Sequence, residues 1–272
     1  MDKTNCIDMG KTFQISLDAF LEENHSVCGK QQQSYEQALS VLEESKKFRS
    51  WKKKQSIAHE ALSICKDCIE AYMLLATYEE DIVKRLAIYK EGMELATLNL
   101  GKDFFLRQVQ DFYELEEAKT YFQIKYMYAN ALYEMGCMRK AQMQFQDILN
   151  LNPNDHYHVH YFLYVLALYF EDFTNAQALL EKYDQNRAID YYMRCLLLLK
   201  MERYEEAKAS IPTLIKANES LYNMLTYRSM NMTRKVENAD AGSEAEAAYL
   251  YHLFNKVLPC MEHLPEFLVK NE

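Results

Sequence analysis

Apolar residues recur along this chain at three- and four-residue intervals, and no stretch alternates cleanly from one residue to the next. That pattern predicts helices throughout and few strands. After an aperiodic start (1–11), Phe13, Leu17, Phe20 and Leu21 mark a short amphipathic helix, and the polar stretch 24–33 reads as a loop. Ser34 and Gln37 form a capping-box pattern for a helix striped by Tyr35, Leu39, Leu42 and Phe48. Residues 58–76 read as one helix turning into the next, with Ala58, Ala61 and Leu62 before the turn and Tyr72, Leu75 and Ala76 after it; 82–98 continue as helix. Towards the end, 227–242 is polar and reads as a connection. Ser243 with Glu246 then forms a second capping box, for a helix with Ala247, Leu250, Tyr251, Phe254 and Leu258 on its apolar side, ended by Pro259 and Pro265.

The most regular stretch is 121–155. Ala129 and Ala141 supply the small residues that let two helices cross closely, and Leu132, Phe145 and Ile148 fill the space around them. Gly136 suits the left-handed conformation that ends the first helix. Pro153 cannot extend the second, and Asn154 or Asp155 can cap whatever follows. Ala176 and Ala207 recur at similar intervals after Ala141. The spacing resembles a tetratricopeptide repeat, and a single such unit cannot bury both of its faces. The resemblance implies an all-α fold: a right-handed α-α superhelix, a solenoid of antiparallel helix pairs. On that reading 1–33 is an N-terminal extension with a short helix and 34–227 is the repeat array. An insertion near 99–114 has Phe104, Phe105, Phe112 and Tyr113 available to pack onto that array. Residues 228–242 are a linker, and 243–272 are a capping helix and tail.

Composition narrows the class. Hydrophobic content of 49% with only 6 Gly and 4 Pro in 272 residues is what closely packed helices use, and 21 Tyr and 14 Met suit irregular gaps between them. A net charge of −9 provides no overall positive field for phosphates, so no nucleic-acid partner is expected. Seven Cys, an odd number, and no signal peptide at Met1 point to a reducing, cytoplasmic setting. The longest apolar run (161–170) is about half of the ~20 residues that a membrane span needs, so it reads as a buried helix and no membrane partner is expected.

Three clusters carry candidate chemistry. Lys46, Lys47, Arg49, Lys52, Lys53 and Lys54 surround Trp51, the only Trp, and form the one basic patch of an acidic chain: either a site for an anion or acidic partner, or a solvated helix face. Cys65 and Cys68 have zinc-ligand spacing but no second Cys pair, and no βαβ pattern supports a redox motif. His156, His158 and His160 alternate; on a helix the first and last would share a face, but the Glu of a zinc hydrolase is missing between them. No metal and no cofactor are expected.

A narrower resemblance rests on Phe112-Tyr113, L-N-P-N-D (151–155), L-L-E-K-Y (179–183), G-S-E-A-E-A-A-Y (242–249) and C-K-D-C-I-E-A-Y-M-L-L-A (65–76). Together, over about 55–269, these resemble the bacterial tetratricopeptide proteins related to suppressor of tumorigenicity 7. Tyr113 stands where that family has Trp, Gln123 where it has Arg, and His156, Tyr157 and His158 where it often has Asn-Gln-Gly, while Lys125 keeps a basic position. The resemblance brings no catalytic or binding residues with it.

The function expected is a non-enzymatic interaction scaffold or adaptor. Stacked helix pairs make a concave groove that can hold a partner's peptide or helix. Gln123, Tyr126, Asn130 and Tyr133 are expected to face it from one repeat, and His158, Tyr161, Val165 and Leu168 from the next. Tyr126 stands where a clamp for a C-terminal carboxylate needs a basic residue, so an apolar or aromatic partner segment is expected. Two other classes compete. An enzyme would need a site assembled from distant residues, since no Gly-rich phosphate loop, G-x-S-x-G or H-E-x-x-H occurs. A peptide-sensing transcriptional regulator would need a helix-turn-helix in 1–50, where no second helix follows a short turn.

Overall fold

The computed structural model describes residues 32–107, 111–227, 240–258, 264 and 267. The short helix expected around Phe13, most of the 228–242 linker and most of the tail lie outside the described residues. Among the described residues the chain is all-helical, with no strand and 13 α-helices packed in neighbouring pairs. It divides into two compact units, up to Val159 and from His160, a boundary that falls inside 34–227.

In the first unit, α1 (Gln32–Glu44) leads through a 3-10 turn (Ser45–Lys47) to α2 (Trp51–Ile64), followed by α3 (Ile69–Thr77) and α4 (Ile82–Leu100). A short α5 (Lys102–Phe105) and two 3-10 turns (Phe112–Glu114, Glu116–Ala118) precede α6 (Lys119–Glu134) and α7 (Met138–Leu151). Each of α1 to α4 packs on the next, α4 also packs on α6, and α6 on α7. Ser34 does not cap α1: the helix begins at Gln32, so Ser34 lies within its first turn. The aromatic insertion covers the start of α6. Phe104 stacks edge-on against Phe105 at 5.2 Å, and Phe105 meets Tyr121 at 5.5 Å.

The second unit contains α8 (His160–Tyr169), α9 (Phe173–Tyr183), α10 (Ala188–Lys200), α11 (Tyr204–Ala217), α12 (Glu219–Tyr227) and α13 (Glu244–Phe254). Sequential helices pack together, and α13 returns to α8. The apolar run 161–170 forms α8, buried on nearly every side. Among the described residues no helix is long and apolar enough to cross a membrane.

The turns within α6–α7, α8–α9 and α10–α11 share one geometry. Each first helix ends on a left-handed residue: Gly136 (φ 85), Glu171 (φ 60) and Glu202 (φ 58). The N–H of the following residue reaches back to a helix carbonyl, in Cys137→Leu132, Asp172→Ala167 and Arg203→Leu198, each at 2.9 Å. This is a Schellman ending, which satisfies carbonyls that the helix would otherwise leave open. Ala141, Ala176 and Ala207 follow at one constant offset, and all are fully buried.

Gly92 marks a close approach in the first unit. A Cβ there would lie 2.4 Å from Ile124 Cδ1 and 2.8 Å from Tyr72 Cβ. Ile124 can swing aside, but Tyr72 Cβ is fixed to its backbone. Gly92→Ala is therefore expected to lower stability by ~1–3 kcal/mol, although Ala is favoured over Gly within a helix by about 1 kcal/mol. A chemical-denaturation midpoint at or above that of the parent would contradict this packing.

Candidate functional site

Helix α6 carries Gln123, Tyr126 and Asn130 on one face, as their spacing dictates. Gln123 is exposed, Tyr126 and Asn130 are half-buried, and the Asn130 amide donates to the Tyr126 carbonyl at 3.0 Å. His158 is exposed as well. The other four expected groove residues are not open: Tyr133, Tyr161, Val165 and Leu168 are buried. Helix α8 is apolar around almost its whole circumference, so no single solvent-facing stripe can be assigned to it from periodicity. Tyr161 also accepts a hydrogen bond from the Arg187 guanidinium within the second unit.

Around Tyr126 the first unit gathers aromatic rings from three segments. Tyr157 stacks on Tyr126 at 5.0 Å, Tyr113 meets Tyr157 edge-on at 5.5 Å, and His156 stacks on Tyr113 at 4.3 Å. Phe122 and Phe145 back this group from the core, against Tyr113 and Tyr126 respectively. Burial raises the Tyr126 phenol above its ordinary range and pushes that of Tyr157 up to about 12, so both are neutral hydroxyls at physiological pH.

The loop after α7 sets this arrangement. The fully buried Asn152 ends the helix through its N–H to the Ile148 carbonyl at 2.9 Å. Asp155 and His158 both take φ 53, a costly conformation for residues with a Cβ. The Asp155 carboxylate accepts the Val159 N–H at 2.7 Å, which closes the loop one residue before α8 begins. On the facing 3-10 turn, Asp111 Oδ1 accepts the Tyr113 N–H at 2.9 Å, while Oδ2 accepts the Asn154 N–H at 3.4 Å and ties the two segments together.

The three His do not lie on one helix. Residues 156–159 form turns and α8 begins at His160, so the expected shared face does not exist. His160 is buried and stacks on Tyr183 at 4.3 Å. His156 faces Asp111 and Glu114 instead.

The basic cluster is split. Lys46 and Lys47 on the 3-10 turn pair with Glu43 and Glu44, each at 2.6 Å. Arg49 is exposed in the irregular stretch that follows. Lys52 and Lys53 lie over the rings of Trp51 and Phe48, and Lys54 donates to the Tyr78 hydroxyl at 2.8 Å. Trp51 is 41% exposed. Cys68 is fully buried beside Ala38, Ala61 and Ala71, and burial pushes its thiol up to about 12, which favours the inert protonated form.

No family model matches the sequence, and no curated protein does either. Sequence reasoning missed Asp111, Glu114 and Tyr157 as site residues. The available signal was two short aromatic- and acid-bearing segments, F-Y-E and N-D-H-Y, flanking one helix pair.

Proposed function

We propose that the protein is a non-enzymatic interaction scaffold of tetratricopeptide type, a cytoplasmic solenoid in which the first unit receives a partner peptide through an aromatic or large apolar side chain. One observation carries this reading: Tyr113, Tyr126 and Tyr157 sit half-exposed as a stacked group, with Gln123 and His158 open nearby. Rigid aromatic rings held from behind by core Phe residues are the kind of surface on which binding hot spots concentrate. The Tyr126 and Tyr157 hydroxyls are neutral, which suits an apolar side chain better than an anion. The shared turn geometry and the buried Ala at a constant offset support the repeat reading.

Selection of displayed random peptides on the purified protein tests the proposal. Enriched peptides are expected to share an aromatic or large aliphatic residue. Tyr126→Ala with Tyr157→Ala should weaken them at least about tenfold, with the helical signal and melting behaviour retained. Charge reversal at Lys52, Lys53 and Lys54 should leave binding unchanged. Selection of acidic peptides that depend on those Lys instead would place the interaction at the Trp51 patch and overturn the reading.

A further inference from the structure

Beside the aromatic group lies a set of side chains that peptide binding does not explain. Asp111, Glu114 and His156 each bring one ligand atom within 4.8 Å of the other two. Asp111 Oδ2 is 3.8 Å from His156 Nδ1, and Glu114 Oε1 is 3.4 Å from Nε2. Asp111 is only 7% exposed, and among the described residues neither carboxylate has a Lys or Arg ion-pair partner. Among the described residues His156 is the one basic side chain within 4.0 Å of either carboxylate, with Lys119 acting on Glu114 from further away. The Tyr113 and Asn154 N–H groups already hydrogen-bond Asp111, and each of its oxygens keeps a further lone pair for a cation.

Asn152 supplies the second, independent observation. It is fully buried, its Oδ1 lies 2.8 Å from His156 Nδ1, and the same oxygen accepts the His156 N–H at 3.4 Å. That backbone donor fits the amide atom as the oxygen, and the tautomer with the ring proton on Nδ1 then donates to it. Nε2 is then left with its lone pair turned towards the Glu114 carboxylate. In that tautomer Nε2 and Glu114 Oε1 are both acceptors at 3.4 Å, and their repulsion is relieved by a metal cation or by a second ring proton between them. An amide holding one imidazole nitrogen so that the other is free is also how outer residues orient a metal-bound His. Among the described residues the Asn152 Nδ2 itself has no hydrogen-bond partner.

We propose that Asp111, Glu114 and His156 bind one divalent metal ion of the zinc type, through a carboxylate oxygen from each acid and His156 Nε2. The separation of 3.4 Å between Nε2 and Glu114 Oε1 matches the edge of a tetrahedron with metal–ligand bonds of ~2.0–2.1 Å. One imidazole with two carboxylates suits zinc better than calcium or magnesium, which favour all-oxygen shells. The ion joins the 3-10 turn Phe112–Glu114 to the loop after α7, and so fixes Tyr113 and Tyr157 in their stacked positions.

Titration of the untagged, chelator-treated protein with zinc chloride, followed by calorimetry, is the test. It requires no partner, so its failure is separate from any failure of the peptide reading. One zinc per chain is expected, with a higher melting temperature when loaded. His156→Gln and Glu114→Gln should each weaken binding at least about tenfold, and Cys65→Ser with Cys68→Ser should leave it unchanged. Glu114 is 67% exposed, so its variant is expected to fold even if that at His156 does not. With cobalt in place of zinc, no thiolate charge-transfer band should appear. Absence of binding, binding that survives both His156→Gln and Glu114→Gln, or binding lost on changing the two Cys would overturn the proposal.

Discussion

Lys125→Met is expected to lower the unfolding free energy by ~2–4 kcal/mol at neutral pH, although Met nearly matches the volume of the Lys stem. Lys125 is 4% exposed on α6. Its Nζ donates to Gln144 Oε1 at 3.0 Å and to Asp147 Oδ2 at 3.3 Å, both on α7, and lies over the Tyr121 ring. Removing the ammonium strands Asp147, whose carboxyl burial already holds above the ordinary carboxylate range despite the pull of Lys125. The loss is set near the lower end of what breaking a buried pair costs, because the Asp147 side chain keeps some contact with solvent. A carboxyl whose pKa is higher in the folded chain favours folding most when protonated, and that contribution is lost as pH rises through the folded-state value. Without Lys125 the upward shift grows, so the loss should be largest at neutral pH and shrink in acid. Lys125→Met with Asp147→Asn should recover most of the lost stability. Denaturant midpoints across pH for both variants check this. A single variant as stable as the parent would mean that the pair contributes nothing.

That pair illustrates what was legible in the sequence. Lys125 was visible only as a basic position within the narrower family resemblance, and nothing in the sequence singled out Gln144 or Asp147. Their meeting follows only from the α6–α7 crossing. Gly136 announced its turn because Gly is the residue that tolerates φ above zero. Glu171 and Glu202 fill the equivalent positions without that signal, and only the constant offset to Ala176 and Ala207 betrays them.

The candidate site was less legible for a topological reason. An antiparallel helix pair brings the segment before its first helix beside the segment after its second, so 111–114 meets 152–157 although a whole helix pair separates them in sequence. Reading 156–160 as helix put the three His in the wrong relation, because nothing local signals that Asp155 and His158 both turn left-handed. Of the eight expected groove residues, Tyr161, Val165 and Leu168 are buried because the one-face logic of a surface helix does not hold for α8, which has almost no surface face, and Tyr133 is buried on α6.

Phe254→Ala should cost the second unit ~3–5 kcal/mol, the loss expected when a fully enclosed aromatic ring is removed and its cavity cannot close. Phe254 has no exposure and sits edge-on to Tyr192 at 4.9 Å and to Tyr164 at 6.4 Å, both of which are also enclosed. Those neighbours belong to α10 and α8, so the ring ties α13 to two other helices at once. The start of α13 cannot shift freely to fill the gap. Ser243 Oγ accepts the Glu246 N–H at 3.1 Å, and Glu246 Oε2 accepts from the Gly242 N–H at 2.8 Å and from the buried Asn218 amide at 2.7 Å. Asn218 in turn accepts the Leu221 N–H at 2.9 Å, which fixes the start of α12 to the same point. Tyr249 lies on the same helix but is 43% exposed, and Tyr249→Ala should change stability by no more than ~0.5 kcal/mol. Equal unfolding midpoints for the two variants would show that α13 rests on the second unit without being part of its core. A large loss for Phe254→Ala alone would establish this helix as the element that closes that core.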